Sequence, residues 1–85
     1  MAQTKLEQEV IPQRDYILQI ANELNAGNIT TEEQRRTALD NLMKIRKDMN
    51  ARLHYLRPRT AGEKLVSNTL YGAQIASLKL ERMEL

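Results

Sequence analysis

Apolar residues recur every three or four positions along most of this 85-residue chain, which is the spacing of an amphipathic α-helix. In the N-terminal third, a rotation of about 100° per residue aligns six of them on one stripe: Leu6, Val10, Ile17, Ile20, Ala21 and Leu24. In the middle third, the same rotation aligns a second stripe: Ala38, Leu42, Ile45, Met49, Leu53 and Leu56, with Leu39 beside them. We expect both stripes to face one core, as the seams of an antiparallel bundle do.

Local start and stop signals divide this pattern into three helices. Three capping boxes mark starts: Thr4 with Glu7, either Thr30 with Glu33 or Thr31 with Gln34, and Thr60 with Glu63. Gly27 supplies the left-handed residue that ends a first helix, and Pro58 disfavours helical geometry at the residue before it. The signals predict helices near residues 5–25, 31–57 and 61–84, joined by turns short enough to make neighbours antiparallel.

Pro12 lies inside the first predicted helix. A proline there removes one backbone hydrogen bond and clashes with the preceding turn, at a cost of about 3 kcal/mol. Two interpretations follow. Either the helix is kinked at Pro12, or it begins at Pro12 and a short arm precedes a helix over 12–25.

Composition favours an all-α fold in a single domain, residues 1–85. Strong helix formers fill the chain, and valine, a typical strand residue, occurs only at Val10 and Val66. The chain has no cysteine, which excludes disulfides and the common structural zinc sites. A core this small must therefore hold by packing, and we expect self-association to help complete it.

The third predicted helix carries two apolar stripes. The wider one has a middle of small residues, among them Gly72 and Ala76 one turn apart, which favours the close approach of a neighbouring helix. The second stripe is Tyr71, Ile75 and Leu78. We hypothesise that this stripe, with Gly72 and Ala76 on the same helix, binds a protein partner or a second copy of the chain. The alternative is that helix 1 covers one stripe and helix 2 the other.

Charge is distributed unevenly along a chain whose formal net charge is +2. The first 30 residues are net acidic and residues 31–58 are net basic. Much of the basic segment is explained by charges of alternating sign at four-residue spacing, which describe a solvated and self-neutralised helix face: Glu32, Arg36, Asp40, Lys44, Asp48 and Arg52. The remaining cations and their neighbours form a candidate anion-binding patch near the second turn: Arg46, His54, Tyr55, Arg57 and Arg59.

These patterns predict a non-enzymatic protein. The single histidine, His54, has no cysteine or second histidine with which to bind a transition metal, and the serines have no adjacent base. We expect no cofactor, and no segment is apolar enough to be a signal peptide or a membrane span, so a cytoplasmic location is the default. The sequence thus predicts an adaptor or regulator that binds a protein through helix 3 and self-associates. The alternative is a nucleic-acid accessory protein that uses the basic turn.

Overall fold

The computed structural model describes residues 4–53 and 60–84 and contains three helices: α1 (Lys5–Asn25), α2 (Glu32–Arg52) and α3 (Ala61–Glu81). The described residues include no β-strand. The all-α, three-helix fold predicted from the apolar periodicity is therefore confirmed. None of these helices is both long enough and apolar enough to cross a membrane.

Each helix begins at a threonine cap that the sequence predicts. Thr4 accepts a hydrogen bond from the backbone N–H of Glu7, whose carboxylate accepts one from the Thr4 N–H in return. The second box is Thr31 with Gln34, which settles the choice between the two possibilities. Thr60 Oγ1 accepts from the backbone N–H three residues further on, at 3.1 Å. Because these bonds are local, their residue spacing was enough to place all three helix starts.

The helix ends agree less well with the prediction. Gly27 has φ +71° directly after α1, as expected. However, α2 ends at Arg52 rather than at 57, because Leu53 adopts extended backbone (φ −87°, ψ 100°) and its side chain packs against the core. Likewise α3 ends at Glu81 rather than at 84, and the side chain of Met83 packs against the core. In both places a side chain just beyond the helix packs against the core, and neither glycine nor proline lies at the position.

Pro12 lies within α1, seven residues after the helix begins at Lys5. The interpretation in which a short arm precedes a helix over 12–25 is therefore wrong. The kink expected at Pro12 stays a prediction. Next to the proline, the amide of Gln13 donates to the backbone carbonyl of Glu9 at 3.4 Å and to the carboxylate of Asp48 at 2.8 Å. This residue therefore ties the proline-containing turn of α1 to α2.

Helix α3 is the central element, since it packs against both other helices while α1 and α2 touch each other little. Gly62 lies next to Leu6, and Gly72 lies next to Ile17. Because the later residue of α3 meets the later residue of α1, these two helices run parallel. Arg35, near the start of α2, donates to the carbonyl of Leu80 near the end of α3, so these two helices are antiparallel. The chain is thus an up-down-up bundle, and both pairs of sequential neighbours are antiparallel as predicted.

The core is built from the predicted stripes. Among the described residues, twelve hydrophobic ones are buried: Val10, Ile17, Ile20, Ile29, Ala38, Leu42, Ile45, Met49, Val66, Ala73, Ala76 and Leu80. The sequence pattern did not assign Ile29, which lies in the connection between α1 and α2 and covers one end of the core. Leu56, predicted to belong to the second stripe, lies outside the described residues.

Candidate partner-binding surface

The side of α3 that faces away from the other helices carries the predicted second stripe. Tyr71, Ile75 and Leu78 expose 65%, 37% and 50% of their surface. We call these three residues the outer stripe. The interpretation in which α1 and α2 cover both stripes of α3 is therefore wrong, because both helices pack on the opposite side, around Val66 and Ala73.

The two small residues grouped with this stripe lie elsewhere on α3. Gly72 is half-buried, and a Cβ atom added there would lie 3.4 Å from Cγ2 of Ile17 on α1. Ala76 is buried. Helix α1 lies beside Gly72, but a methyl group would make only an ordinary contact there, so the approach of α1 does not require a glycine. Both residues belong to packing within the chain rather than to the exposed surface.

Two further exposed hydrophobic side chains lie on the neighbouring helices. Met43 of α2 and Leu78 of the outer stripe border one groove, since both lie beside Arg46 and Ser77. Leu18 lies on α1 and directly follows Ile17. Since Ile17 lies beside Gly72, Leu18 is level with the middle of α3. The apolar periodicity did not predict that Met43 and Leu18 belong to an exposed apolar surface, because each is a single apolar position outside the main stripe of its helix.

The groove between α2 and α3 has a charged lining. Arg46 is half-buried there and shares the groove with Gln74 and with the carboxylate-bearing Glu81. Arg46 therefore lies beside a potential counter-charge, and not only among cations as the predicted anion patch would place it. The other residues of that predicted patch lie outside the described residues: His54, Tyr55, Arg57 and Arg59.

The cations on the outer side of α3 differ from the paired arginines of the chain. Arg14, Arg35 and Arg52 each form an ion pair with a carboxylate at 2.6–3.1 Å. Within the part of the chain that the structure describes, Lys64, Lys79 and Arg82 form no ion pair shorter than 4.0 Å. All three are exposed.

The polar residues on the far side of α2 bind α1. Arg52 pairs with Glu9 at 2.7 Å and with Asp48 at 3.0 Å, and the hydroxyl of Tyr16 accepts from the amide of Asn41 at 2.9 Å. The hydrogen bond from Gln13, together with that from Arg52, lowers the pKa of Asp48. These side chains form hydrogen bonds and ion pairs within the fold, and those bonds join α1 to α2.

The alternating charges predicted along α2 are realised only in part. Asp48 and Arg52 form the expected pair four residues apart. Glu32 instead pairs with Arg35, whose hydrogen bond lowers the pKa of Glu32. Among the described residues, Asp40 and Lys44 form no ion pair shorter than 4.0 Å.

A second groove lies between α1 and α2, where these helices separate. Its volume is about 390 Å³, its floor is apolar at Ile20, Ile29 and Ala38, and its rim carries Glu23 and Glu33. No group of three potential metal ligands occurs within residues 4–53 and 60–84. The groove is an open depression whose polar lining consists of amides, carboxylates and the hydroxyl groups of Tyr16 and Thr37.

Comparison with family models, curated proteins and solved structures finds no match to this chain. The choice of a candidate site therefore depends on geometry alone. Of the surfaces described, the outer stripe is the one where large apolar side chains are exposed in a row on a helix whose other side is fully packed.

Proposed function

We propose that this protein is a non-enzymatic adaptor or regulator that acts in the cytoplasm and binds a protein partner through the outer stripe of α3. The observation that supports this proposal is the exposure of Tyr71, Ile75 and Leu78 on the free side of the central helix. An isolated exposed leucine is ordinary in a folded protein and needs no explanation. Three large apolar side chains on adjacent turns form a continuous patch, which is typical of interaction surfaces.

These three side chains contribute little to the packing of the monomer. The core is completed by the opposite side of α3, where Val66, Ala73 and Leu80 are almost fully buried. Polar residues at 71, 75 and 78 would therefore cost this chain little stability, and they would remove the exposed apolar area. A helix that presents apolar side chains at this spacing is suited to pack against a helix or into a groove of another protein.

Self-association through the same surface, which the sequence also predicts, is the alternative use of the outer stripe and would compete with the partner for it. It would cover the outer stripe and enlarge the small core, as the sequence predicts for a chain of this length. Sedimentation velocity over a range of protein concentrations measures it directly. The nucleic-acid alternative stays a prediction, because four of its five residues lie outside the described part of the chain.

The partner proposal is tested by affinity capture followed by binding measurements with the identified partner after purification. The wild-type chain is compared with the double variant Ile75→Glu/Leu78→Glu. The matched control is Asn50→Glu/Ala51→Glu, which adds the same two negative charges at exposed positions on α2. We expect the double variant to lose at least tenfold in affinity for the purified partner and the control to bind as the wild type does. Equal binding by all three proteins, with circular dichroism showing each to be folded, would refute the proposal.

A further inference from the structure

We propose that the partner segment recognised by the outer stripe is an acidic amphipathic helix. This inference rests on the proposed function and specifies the chemistry of what binds. Three features of α3 support this chemistry: the distribution of its charges, the position of one cation, and the length of its exposed surface.

Cations share the outer side of α3 with the outer stripe. Lys64 precedes Tyr71 by seven residues, while Lys79 and Arg82 each follow a stripe residue by four, so all three cations project from the same side of the helix. The two carboxylates of α3, Glu63 and Glu81, are separated by 18 residues, which is about five full turns, so they share another side. Glu81 lines the groove toward α2. The outer side of α3 is therefore apolar and positive.

The position of Lys64 indicates that the positive charge on the outer side of α3 does not serve only to stabilise the helix. Lys79 and Arg82 lie near the C-terminal end of α3, where a cation interacts favourably with the helix dipole. Lys64 lies in the first turn, where the same dipole disfavours a cation. It has no ion-pair partner among the described residues. A negatively charged partner would satisfy all three cations at once.

The surface has the length of a helix. From Lys64 to Arg82 the outer side extends for about 27 Å at 1.5 Å per residue. A partner helix of about five turns would cover this distance. Its apolar side chains, spaced by three and four residues, would pack on Tyr71, Ile75 and Leu78, and carboxylates on its flanks would reach the cations.

The same charges oppose a dimer that pairs two outer stripes face to face. A twofold axis brings the same edge of each copy together. The cationic edge of one outer side would then lie beside the cationic edge of the other, and like charges placed together across an interface are unfavourable. An acidic partner helix meets complementary charge instead.

The experiment uses the full-length protein and synthetic 18-residue peptides labelled with fluorescein. The acidic probe has leucine at alternating three- and four-residue spacing and glutamate on its flanks. One control peptide has lysine in place of every glutamate, and a second has the composition of the acidic probe in scrambled order. We expect the acidic probe to bind, measured by fluorescence anisotropy, at least tenfold more tightly than either control at low salt. The preference should weaken as salt is added.

Charge-reversal variants locate the recognition. In Lys79→Glu/Arg82→Glu we expect affinity for the acidic probe to fall about tenfold and the lysine peptide to become the better ligand. Lys44→Glu/Lys47→Glu is the matched control, because Lys44 and Lys47 are exposed cations of α2 that likewise form no ion pair among the described residues. It should leave the preference unchanged. Circular dichroism verifies that each variant is folded.

The outcomes separate this inference from the proposed function. If Ile75→Glu/Leu78→Glu abolishes binding of the captured partner while the acidic probe shows no advantage over the lysine peptide, the outer stripe binds a partner of different chemistry and the inference is wrong. A dimer in sedimentation that Ile75→Glu/Leu78→Glu dissociates, without acidic-probe binding, would assign the stripe to a second copy and overturn it. Tighter binding to phosphatidylglycerol vesicles than to the acidic probe would overturn it in favour of a membrane surface.

Discussion

The three glycines of the chain meet three different environments. Gly27 has φ +71°, a left-handed conformation that is strained for any residue with a Cβ atom, although the space around it is open. At Gly62 the backbone is ordinary, but an added Cβ would lie 3.0 Å from Cδ2 of Leu6. At Gly72 the added Cβ would make an ordinary contact with Ile17 at 3.4 Å. Residue type alone does not distinguish these cases, since only backbone geometry and neighbouring atoms do.

We expect Gly72→Ala to stabilise the protein by about 0.5–1 kcal/mol, because alanine is the better residue inside a helix and its methyl group has room. Gly27→Ala is the matched substitution and should destabilise by about 1 kcal/mol through left-handed strain. Urea denaturation followed by circular dichroism gives both free energies of unfolding. A loss of stability in Gly72→Ala would mean that α1 and α3 are too close at this point to accept a methyl group.

Thr69 places a hydroxyl group inside the core. The residue is 2% exposed, and its Oγ1 has no hydrogen-bond partner among residues 4–53 and 60–84. Ser77, also buried on α3, instead donates to the carbonyl of Ala73 at 2.8 Å. A buried hydroxyl without a partner destabilises the folded state by about 1–3 kcal/mol.

Thr69→Val keeps the shape of the side chain and replaces the hydroxyl with a methyl group, so we expect it to raise the free energy of unfolding by about 1 kcal/mol. Thr69→Ser is the control, because it keeps the hydroxyl and removes the methyl group, and it should lower stability. Thermal unfolding of the two variants beside the wild type measures the difference. Destabilisation by valine would show that the hydroxyl is satisfied in solution.

At the scale of elements, helix starts were predictable and relations between helices were not. Each threonine cap is a bond across three residues, so its pattern is visible in the sequence. The end of α2 depends on Leu53 packing into the core, which no local pattern marks. Likewise, the alternating charges of α2 predicted a solvated face, whereas Asp48 and Arg52 turn out to bind α1. The periodicity of a single helix does not predict which of its residues meet those of a neighbouring helix.

The same limit applies to the candidate site. The spacing of Tyr71, Ile75 and Leu78 identified a second stripe on α3, and the structure shows that it is exposed. The sequence left open whether a neighbouring helix covers it, since that depends on how α1 and α2 are arranged around α3. Gly72 and Ala76 were grouped with the stripe by sequence position and proved to face inward.

The contact between α1 and α2 should respond to acid. Hydrogen bonds from Gln13 and Arg52 lower the pKa of Asp48. A carboxyl whose pKa is lower in the folded state adds stability above its ordinary pKa of about 4, and this contribution is lost as the pH falls toward the folded-state value. We expect Gln13→Ala to raise the pKa of Asp48 toward the ordinary value and to reduce the loss of stability between neutral and acidic pH.

An NMR titration of the Asp48 side chain, combined with urea denaturation near pH 7 and near pH 3, measures both effects. Gln19→Ala is the control, because Gln19 is also a glutamine of α1 and its side chain, within the described residues, bonds to Glu23 of its own helix at 3.4 Å rather than to α2. It should leave the Asp48 titration unchanged. An unchanged titration in Gln13→Ala as well would show that the hydrogen bond to Asp48 is absent in solution.

At the scale of the whole molecule, the central position of α3 gives the protein two unlike sides. The bundle measures about 41 × 26 × 16 Å, so it is longer and broader than it is thick. On one side α3 presents the outer stripe with three cations that form no ion pair in the described part of the chain. The groove between α1 and α2 presents carboxylates and amides. Because α1 and α2 both pack mainly against the inner side of α3, that side carries much of the stability and the outer side is free to bind.

This division predicts that stability and binding can be altered separately. Tyr71→Ser, Ile75→Ser and Leu78→Ser remove exposed apolar groups, so each should change the free energy of unfolding by no more than about 0.5 kcal/mol. Leu80→Ala, on the buried side of the same helix, should lose about 2–5 kcal/mol. Urea denaturation of the four variants tests this contrast. Binding of the captured partner should show the reverse order: the three outer variants should bind more weakly, and Leu80→Ala should bind normally as long as it remains folded. A loss of more than about 2 kcal/mol in Leu78→Ser would instead mean that the outer stripe is packed within the fold, since only buried leucines cost this much to truncate.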